Sequence, residues 1–288
     1  MPDKIEVLKT YKTYVGGAFV RSESGHSYKV TGTDGKVVAN ACRCTRKDVR
    51  DAMTAARGAF PGWMKRSAYN RGQILYRIAE MLQGRKQQFL RELTTTGFEK
   101  KSALKEVETA IDRLIYYAGW TDKYPQVFGT INPVASAHFN FSNPDPTGIV
   151  GIIVPELSPL NGLVSMIAPV IAGGNVVVAL TSEKHPLPAV SFGEVLHASD
   201  VPAGIVNILT GFRDELVSPL TTHMDLNAVW NTLKDSKMRK QIDENGALNI
   251  KRIYHSPDLK WYDTSEGENP YFILNFQEIK TTWHPAGF

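Results

Sequence analysis

The stretch from Thr147 to Leu187, TGIVGIIVPELSPLNGLVSMIAPVIAGGNVVVALTSEKHPL, constrains the fold more than any other part of the chain. It opens with Ile149-Val150-Gly151-Ile152-Ile153-Val154, an apolar run bounded by Gly148 and Pro155. A run so rich in β-branched residues reads as a strand buried on both faces. Pro155-Glu156-Leu157-Ser158-Pro159 reads as a turn, and Asn161 to Ile171 repeats apolar residues at helical spacing until Gly173-Gly174 ends it. Asn175 to Leu180 is a second buried strand. Strand, helix and strand within about 30 residues make a βαβ unit, whose crossover is right-handed. Ligands of such units bind beyond the carboxyl ends of the strands. Here those ends are Pro155 to Pro159 and Thr181 to Pro186.

The rest of the chain predicts a frame for this unit. Tyr14 to Val20 reads as strand, glycine turn and strand, and Val37 to Ala41 as a further strand. Three amphipathic helices are expected over Arg46–Phe60, Arg71–Thr94 and Glu106–Trp120, with their apolar and aromatic residues in the core. Pro125 to Asp145 reads as extended, Val190 to Ala198 as a helix, and Val201 to Gly211 as the next strand.

Composition excludes several classes. The 33 basic and 29 acidic residues leave a net charge of +4, too balanced for a nucleic-acid surface. No apolar run is long enough to span a membrane. Met1-Pro2-Asp3-Lys4 lacks the apolar core of a signal peptide, so a cytoplasmic location is the expectation. The two cysteines are Cys42 and Cys44. They read as small buried residues rather than metal ligands, since no partner set with zinc spacing accompanies them.

The βαβ stretch resembles the cofactor-binding core of the NAD(P)-dependent aldehyde dehydrogenases. The match keeps the strand ending in Pro155, a second proline at Pro159, the helix pair Ala168-Pro169, Gly174-Asn175-Val176-Val177-Val178, and Glu183 with Pro186-Leu187. Val201 to Gly211 is similar to the family's L-P-x-G-V-x-N-x-V-x-G, and Tyr14 to Val20 to its N-terminal hairpin. The resemblance runs from about Tyr14 to Asp225. It implies an α/β fold with a Rossmann-like open sheet, plus a small β extension for oligomerisation. Residues 1–257 would form the nucleotide-binding domain, with an oligomerisation hairpin at 125–145. Pro155, Glu183 and Gly211 would be the cofactor-binding positions that remain.

The chemistry of the family needs a Cys nucleophile, an amide donor for the oxyanion and a Glu base. None stands at its matching position. The family's P-W-N-F-P is Pro155 to Pro159, with Leu157 in place of the amide donor. The Lys of K-P-(S/A)-E is Leu180. The two glycines that admit the pyrophosphate are Leu233 and Met238. Arg252 to Pro257 replaces the segment with the base, and His255 there has no evident partner. No Cys follows Cys44. Catalytic residues and metal ligands are therefore expected to be absent, and NAD(P) is a weak expectation.

About 30 residues follow Pro257, too few for a catalytic domain. Phe272 to Pro285 is instead similar to the family's extreme C-terminal oligomerisation strand. The expected arrangement is a linker at 258–270 joined to a C-terminal strand at 271–288. This resembles the shortened, noncatalytic second module of the family-sixteen aldehyde dehydrogenases. The resulting expectation is a noncatalytic subunit pairing with itself or with a complete aldehyde dehydrogenase through Phe139, Phe141, Leu274, Phe276 and Trp283. Two other readings stand beside it: an NAD(P)-dependent aldehyde oxidoreductase, and a nucleotide-binding module without chemistry.

Overall fold

The structure is a computed structural model that describes residues 7–256 and 258–286. The chain begins with five strands, β1 (Thr10–Tyr11), β2 (Thr13–Val15), β3 (Ala18–Val20), β4 (Ser27–Thr31) and β5 (Val37–Cys42). Four helices follow, α1 (Arg46–Met64), α2 (Ala68–Gly84), α3 (Lys86–Thr95) and α4 (Lys100–Ala118). A short helix α5 (Tyr124–Phe128) leads into β6 (Thr130–Asn132) and β7 (His138–Pro146). The βαβ unit is β8 (Ile149–Ile153), α6 (Asn161–Ala172) and β9 (Val176–Leu180). Then come α7 (Leu187–His197), β10 (Val206–Leu209), α8 (Arg213–Thr221), β11 (Ala228–Asn231), α9 (Ser236–Ala247) and β12 (Arg252–His255). The chain closes with α10 (Thr264–Gly267), α11 (Tyr271–Leu274) and β13 (Gln277–Pro285).

The central sheet has seven strands in the order β12-β11-β8-β9-β10-β2-β3. Its first five strands are parallel, and β2 and β3 add an antiparallel edge. In chain order the parallel strands run 5-4-1-2-3, the doubly wound pattern with its switch point between β8 and β11. Every residue of β8, β9, β10 and β11 is buried, as continuous apolar strands under two helical layers must be. The α/β fold with an open Rossmann-like sheet is thus the one the βαβ stretch predicts.

Helix α6 is buried at all twelve of its residues, so its end groups need partners from the protein. At its C-terminal end Trp63 Nε1 donates to the Ile171 carbonyl at 3.0 Å and Arg71 Nε to that of Ala172 at 3.0 Å. Gln277 Nε2 donates to the Gly173 carbonyl at 3.1 Å. At its N-terminal end the Glu106 carboxylate of α4 receives the amides of Leu160 and Asn161 at 3.1 and 2.7 Å. Helix α1 is started by a capping box between Thr45 and Asp48 and buries Val49, Ala52, Met53, Ala56 and Trp63.

Three sequence expectations need correction. The helix predicted over Arg71–Thr94 is two helices, because Arg85 leaves the helical region at φ −102, ψ 9. Gly84 precedes it, and the Arg85 guanidinium turns to Glu194 of α7 at 2.6 Å. The 125–145 hairpin begins with helix α5, where Pro125 sits at a first-turn position that needs no amide donor. The C-terminal strand starts at Gln277, not upstream of it. Leu274 ends helix α11, and Phe276 is 0 % exposed, packed against Trp230 and Tyr254. Phe276 thus fills the body of the protein, Leu274 is half-buried, and neither belongs to the strand.

The third sheet, β13-β7-β6, is antiparallel, with all nine residues of β13 in register on β7. Pairing places Trp283 opposite Asn140 and Phe141 opposite Thr282, so Trp283 lies on one face of this sheet and Phe139 and Phe141 on the other. Eight of the nine β13 residues are exposed. Among the described residues, no strand pairs with the other edge of β13.

Candidate functional site

A cleft of about 520 Å³ opens at the switch point, between the turn after β8 and the segment after β11. Pro155, Glu156, Leu157 and Ser158 form one wall, Thr232, Leu233 and Lys234 another, and residues 258–262 close the third side. The sequence places ligands at this end of the strands, and the topology then selects the one gap where the two halves of the sheet diverge.

The floor is an ion pair that sequence reasoning missed. Arg213, the first residue of α8, meets Glu156 at 2.7 Å, with side chains 11 % and 23 % exposed. Glu156 also accepts from Ser182 Oγ at 2.6 Å and from the amides of Glu183 and Lys184 at 3.0 and 3.3 Å. Burial raises the pKa of Glu156, but Arg213 and these donors outweigh it and hold the carboxyl below its ordinary value. Burial depresses the Arg213 guanidinium, and Glu156 and Glu183 oppose that. A buried arginine has no sequence signature of its own, although Arg213 stands two residues beyond the glycine that closes the matched strand motif.

The three residues expected to bind a cofactor are placed differently from one another. Pro155 lines the cleft, and its ring lies where a Cβ on Gly162 would be only 2.4 Å away. Glu183 faces its own fold, where Oε1 accepts the Arg213 amide and so caps α8. Gly211 holds φ +144°, and a Cβ there would approach Leu216 at 2.9 Å and the Cys44 amide at 3.3 Å. Its role in this geometry is close backbone packing at the strand end.

The remaining substituted positions are also accounted for. Leu157 is 79 % exposed at the mouth of the cleft, while Leu180 and Leu233 are buried. His255 does have partners: Asn231 at 2.9 Å and Asp243 at 2.8 Å. It is not among the residues lining the cleft. Cys42 and Cys44 are buried and unlinked, and burial pushes the Cys44 thiol up to about 12. No group of three metal-ligating side chains occurs among the described residues.

Residues 258–270 are built into the body rather than strung across it. Tyr262 Oη donates to Glu106 at 2.5 Å, the same buried carboxylate that holds the start of α6 and accepts from Ser158 Oγ at 2.6 Å. Burial raises the pKa of Glu106, and its hydrogen-bond donors act against that rise. Asn161 Nδ2 donates to the Trp261 carbonyl at 3.0 Å, and Arg113 Nη2 to that of Asp263 at 3.1 Å. Arg113, 1 % exposed, also pairs with Glu268. Tyr117 Oη donates to the carbonyl of Gly267 at 3.1 Å. One face of α4 thus anchors the strap. The available sequence signal was the pair Trp261-Tyr262, two large aromatics in an expected linker.

A doubly wound parallel sheet with a cleft at its switch point defines the class of open, Rossmann-like α/β proteins. The model of the aldehyde dehydrogenase family matches residues 19–256. The chain is 30% identical over 257 residues to Omega-crystallin of Enteroctopus dofleini, covering 87% of this chain and 51% of that protein. It is 34% identical over 229 residues to 2-hydroxymuconic semialdehyde dehydrogenase of Pseudomonas sp. (strain CF600), covering 77% and 47%. The NAD+ complex of an aldehyde dehydrogenase from Bacillus cereus superimposes with a TM-score of 0.81 at 25% identity, over 85% of this chain and 50% of that one. The protein belongs to the aldehyde dehydrogenase family. It spans about half the length of these two relatives.

The residues at the cleft do not fit the dinucleotide that the family implies. A pyrophosphate needs open amides at a helix N-terminus. At α9 the Asp235 carboxylate already takes the Met238 amide at 2.6 Å and sets a negative charge there. The Leu233 amide is given to Asn231 Oδ1 at 3.0 Å. Glu183, the one candidate for the ribose, is engaged by Arg213.

Proposed function

We propose that this chain is a noncatalytic aldehyde dehydrogenase-like subunit with a structural or regulatory role, assembling with itself or with a complete aldehyde dehydrogenase. The observation that carries the reading is the nine-residue β13, exposed at eight positions and in register on β7. A strand edge of this length is a template for addition of another strand. Trp283 is the anchor on one face, and Phe139 and Phe141 lie on the other. The cleft supports the same reading, because Glu156 is spent on internal contacts and neither buried cysteine lines it.

Size-exclusion chromatography with light scattering tests this on the chain alone and mixed with a complete family member from the same source. A homo-oligomer or a mixed complex, lost on Trp283→Asp, is the expected result. A monomer under both conditions refutes it. The relatives with dehydrogenase names favour a second reading, NAD(P)-dependent aldehyde oxidation. Steady NAD(P)H formation from aldehydes by the pure chain would establish that reading in its place.

A further inference from the structure

The cleft at the switch point is preformed, and its chemistry is unlike that of a nucleotide site. Its charges are paired among the described residues: Glu156 with Arg213 at 2.7 Å, Lys234 with Asp258 at 2.8 Å, and Lys260 with Glu266 at 3.3 Å. The hydroxyls in its wall are spent as well. Ser158 Oγ donates to Glu106 and accepts the Gly162 amide at 3.1 Å, and Thr232 Oγ1 donates to the Ile153 carbonyl at 2.7 Å. Of the buried lining side-chain atoms, Arg213 Nε alone among the described residues lacks a partner, so a ligand that must exchange many water hydrogen bonds for protein ones finds few partners here and loses on entry. An apolar ligand gives up none and gains from the apolar side chains of Pro155, Leu157, Leu233, Leu259 and Trp261.

Shape and rigidity point the same way. About 520 Å³ is the size of a small-molecule site. The strap that closes it is tied down through Tyr262 to Glu106 and through the Trp261 carbonyl to Asn161, so no ordering of a loop has to accompany binding. Leu157, 79 % exposed, is an apolar side chain held open at the entrance.

We propose that this cleft binds a small, uncharged, largely apolar molecule, packed between Leu157, Leu233 and Trp261, and rejects dinucleotides. The site requires only the strap and the strand ends of one chain. It therefore stands or falls separately from the assembly of β13.

The test uses the full chain labelled with nitrogen-15 and follows the indole N–H signals, with Trp261 assigned from a Trp261→Phe variant. The probes are 1-decanol and 2-naphthol, set against NAD and adenosine monophosphate. The expected result is saturable movement of the Trp261 signal by the two apolar probes, on the order of micromolar to tens of micromolar. The signal of exposed Trp283 stays still. Leu157→Glu, a change at an exposed position, weakens the apolar probes about tenfold or more. Leu233→Glu, read only if its spectrum is that of a folded chain, does the same. Unsaturable shifts, shifts that survive Leu157→Glu, or movement of Trp261 by NAD at concentrations comparable to the apolar probes would each overturn the proposal.

Discussion

Truncating Phe276 to alanine separates the packed core from the strand surface that sequence resemblance joins to it. Phe276 is 0 % exposed, its ring centroid 5.5 Å from that of Trp230 and 6.5 Å from that of Tyr254. Its carbonyl receives Asn175 Nδ2 at 2.9 Å, which pins the backbone and limits collapse around a void. A Phe→Ala change at such a site costs about 3–5 kcal/mol, combining lost transfer energy with the residual cavity. Each kcal/mol moves the midpoint of a domain of this size by about 2–4 °C, so Tm should fall by about 6–20 °C. Trp283 is 57 % exposed, and its ring stacks edge-on against His138 at 5.8 Å. Trp283→Ala should cost less than about 1 kcal/mol and act on association instead. Thermal melts followed by circular dichroism, with light scattering on the folded variants, read both effects. If Phe276→Ala melts within about 2 °C of the parent, or Trp283→Ala is the more destabilised, the placement of Phe276 inside the body is wrong.

Tyr262→Phe removes one hydrogen bond to the buried Glu106 carboxylate, costing about 1.5–3 kcal/mol. It should also raise amide exchange in residues 258–262 ahead of the central strands, and unchanged exchange there would exclude the strap as a latched element. The lowered pKa of Glu156 means that its folded state binds a proton less readily than the unfolded chain. Its contribution is complete above the ordinary glutamate value of about 4.3 and is lost as pH falls through the lower folded value. Glu156→Gln should therefore be less stable at neutral pH, with a shallower loss of stability in acid. Equal acid sensitivity in both proteins would show that the ion pair with Arg213 contributes nothing. Both cysteines are buried, and the Cys44 thiol has its pKa pushed up to about 12. Iodoacetamide should thus label neither at neutral pH until the chain is unfolded, whereas rapid labelling of the native protein would contradict that burial.

No described helix is long and apolar enough to cross a membrane.

The sequence by itself determined the architecture around Thr147 to Leu187. Continuous β-branched runs have no polar face, so they must be interior strands, and the helical spacing between them leaves a βαβ unit as the outcome. The departure of single positions from the family's pattern was legible for the same local reason. The Leu157 side chain cannot donate a hydrogen bond in any fold. Tertiary structure alone decided which polar groups meet. Glu183 and Arg213 are 30 residues apart, Glu106 and Tyr262 are 156 apart, and neither pair has a periodic signature. Both follow one rule: a carboxylate drawn out of water must find a donor, here the Arg213 amide and the Tyr262 hydroxyl, wherever the packing brings one. The boundary between Phe276 and β13 was decided in the same way. An apolar residue suits a strand face or a core equally well in sequence, and the aromatic cluster around Trp230 settles which one it occupies.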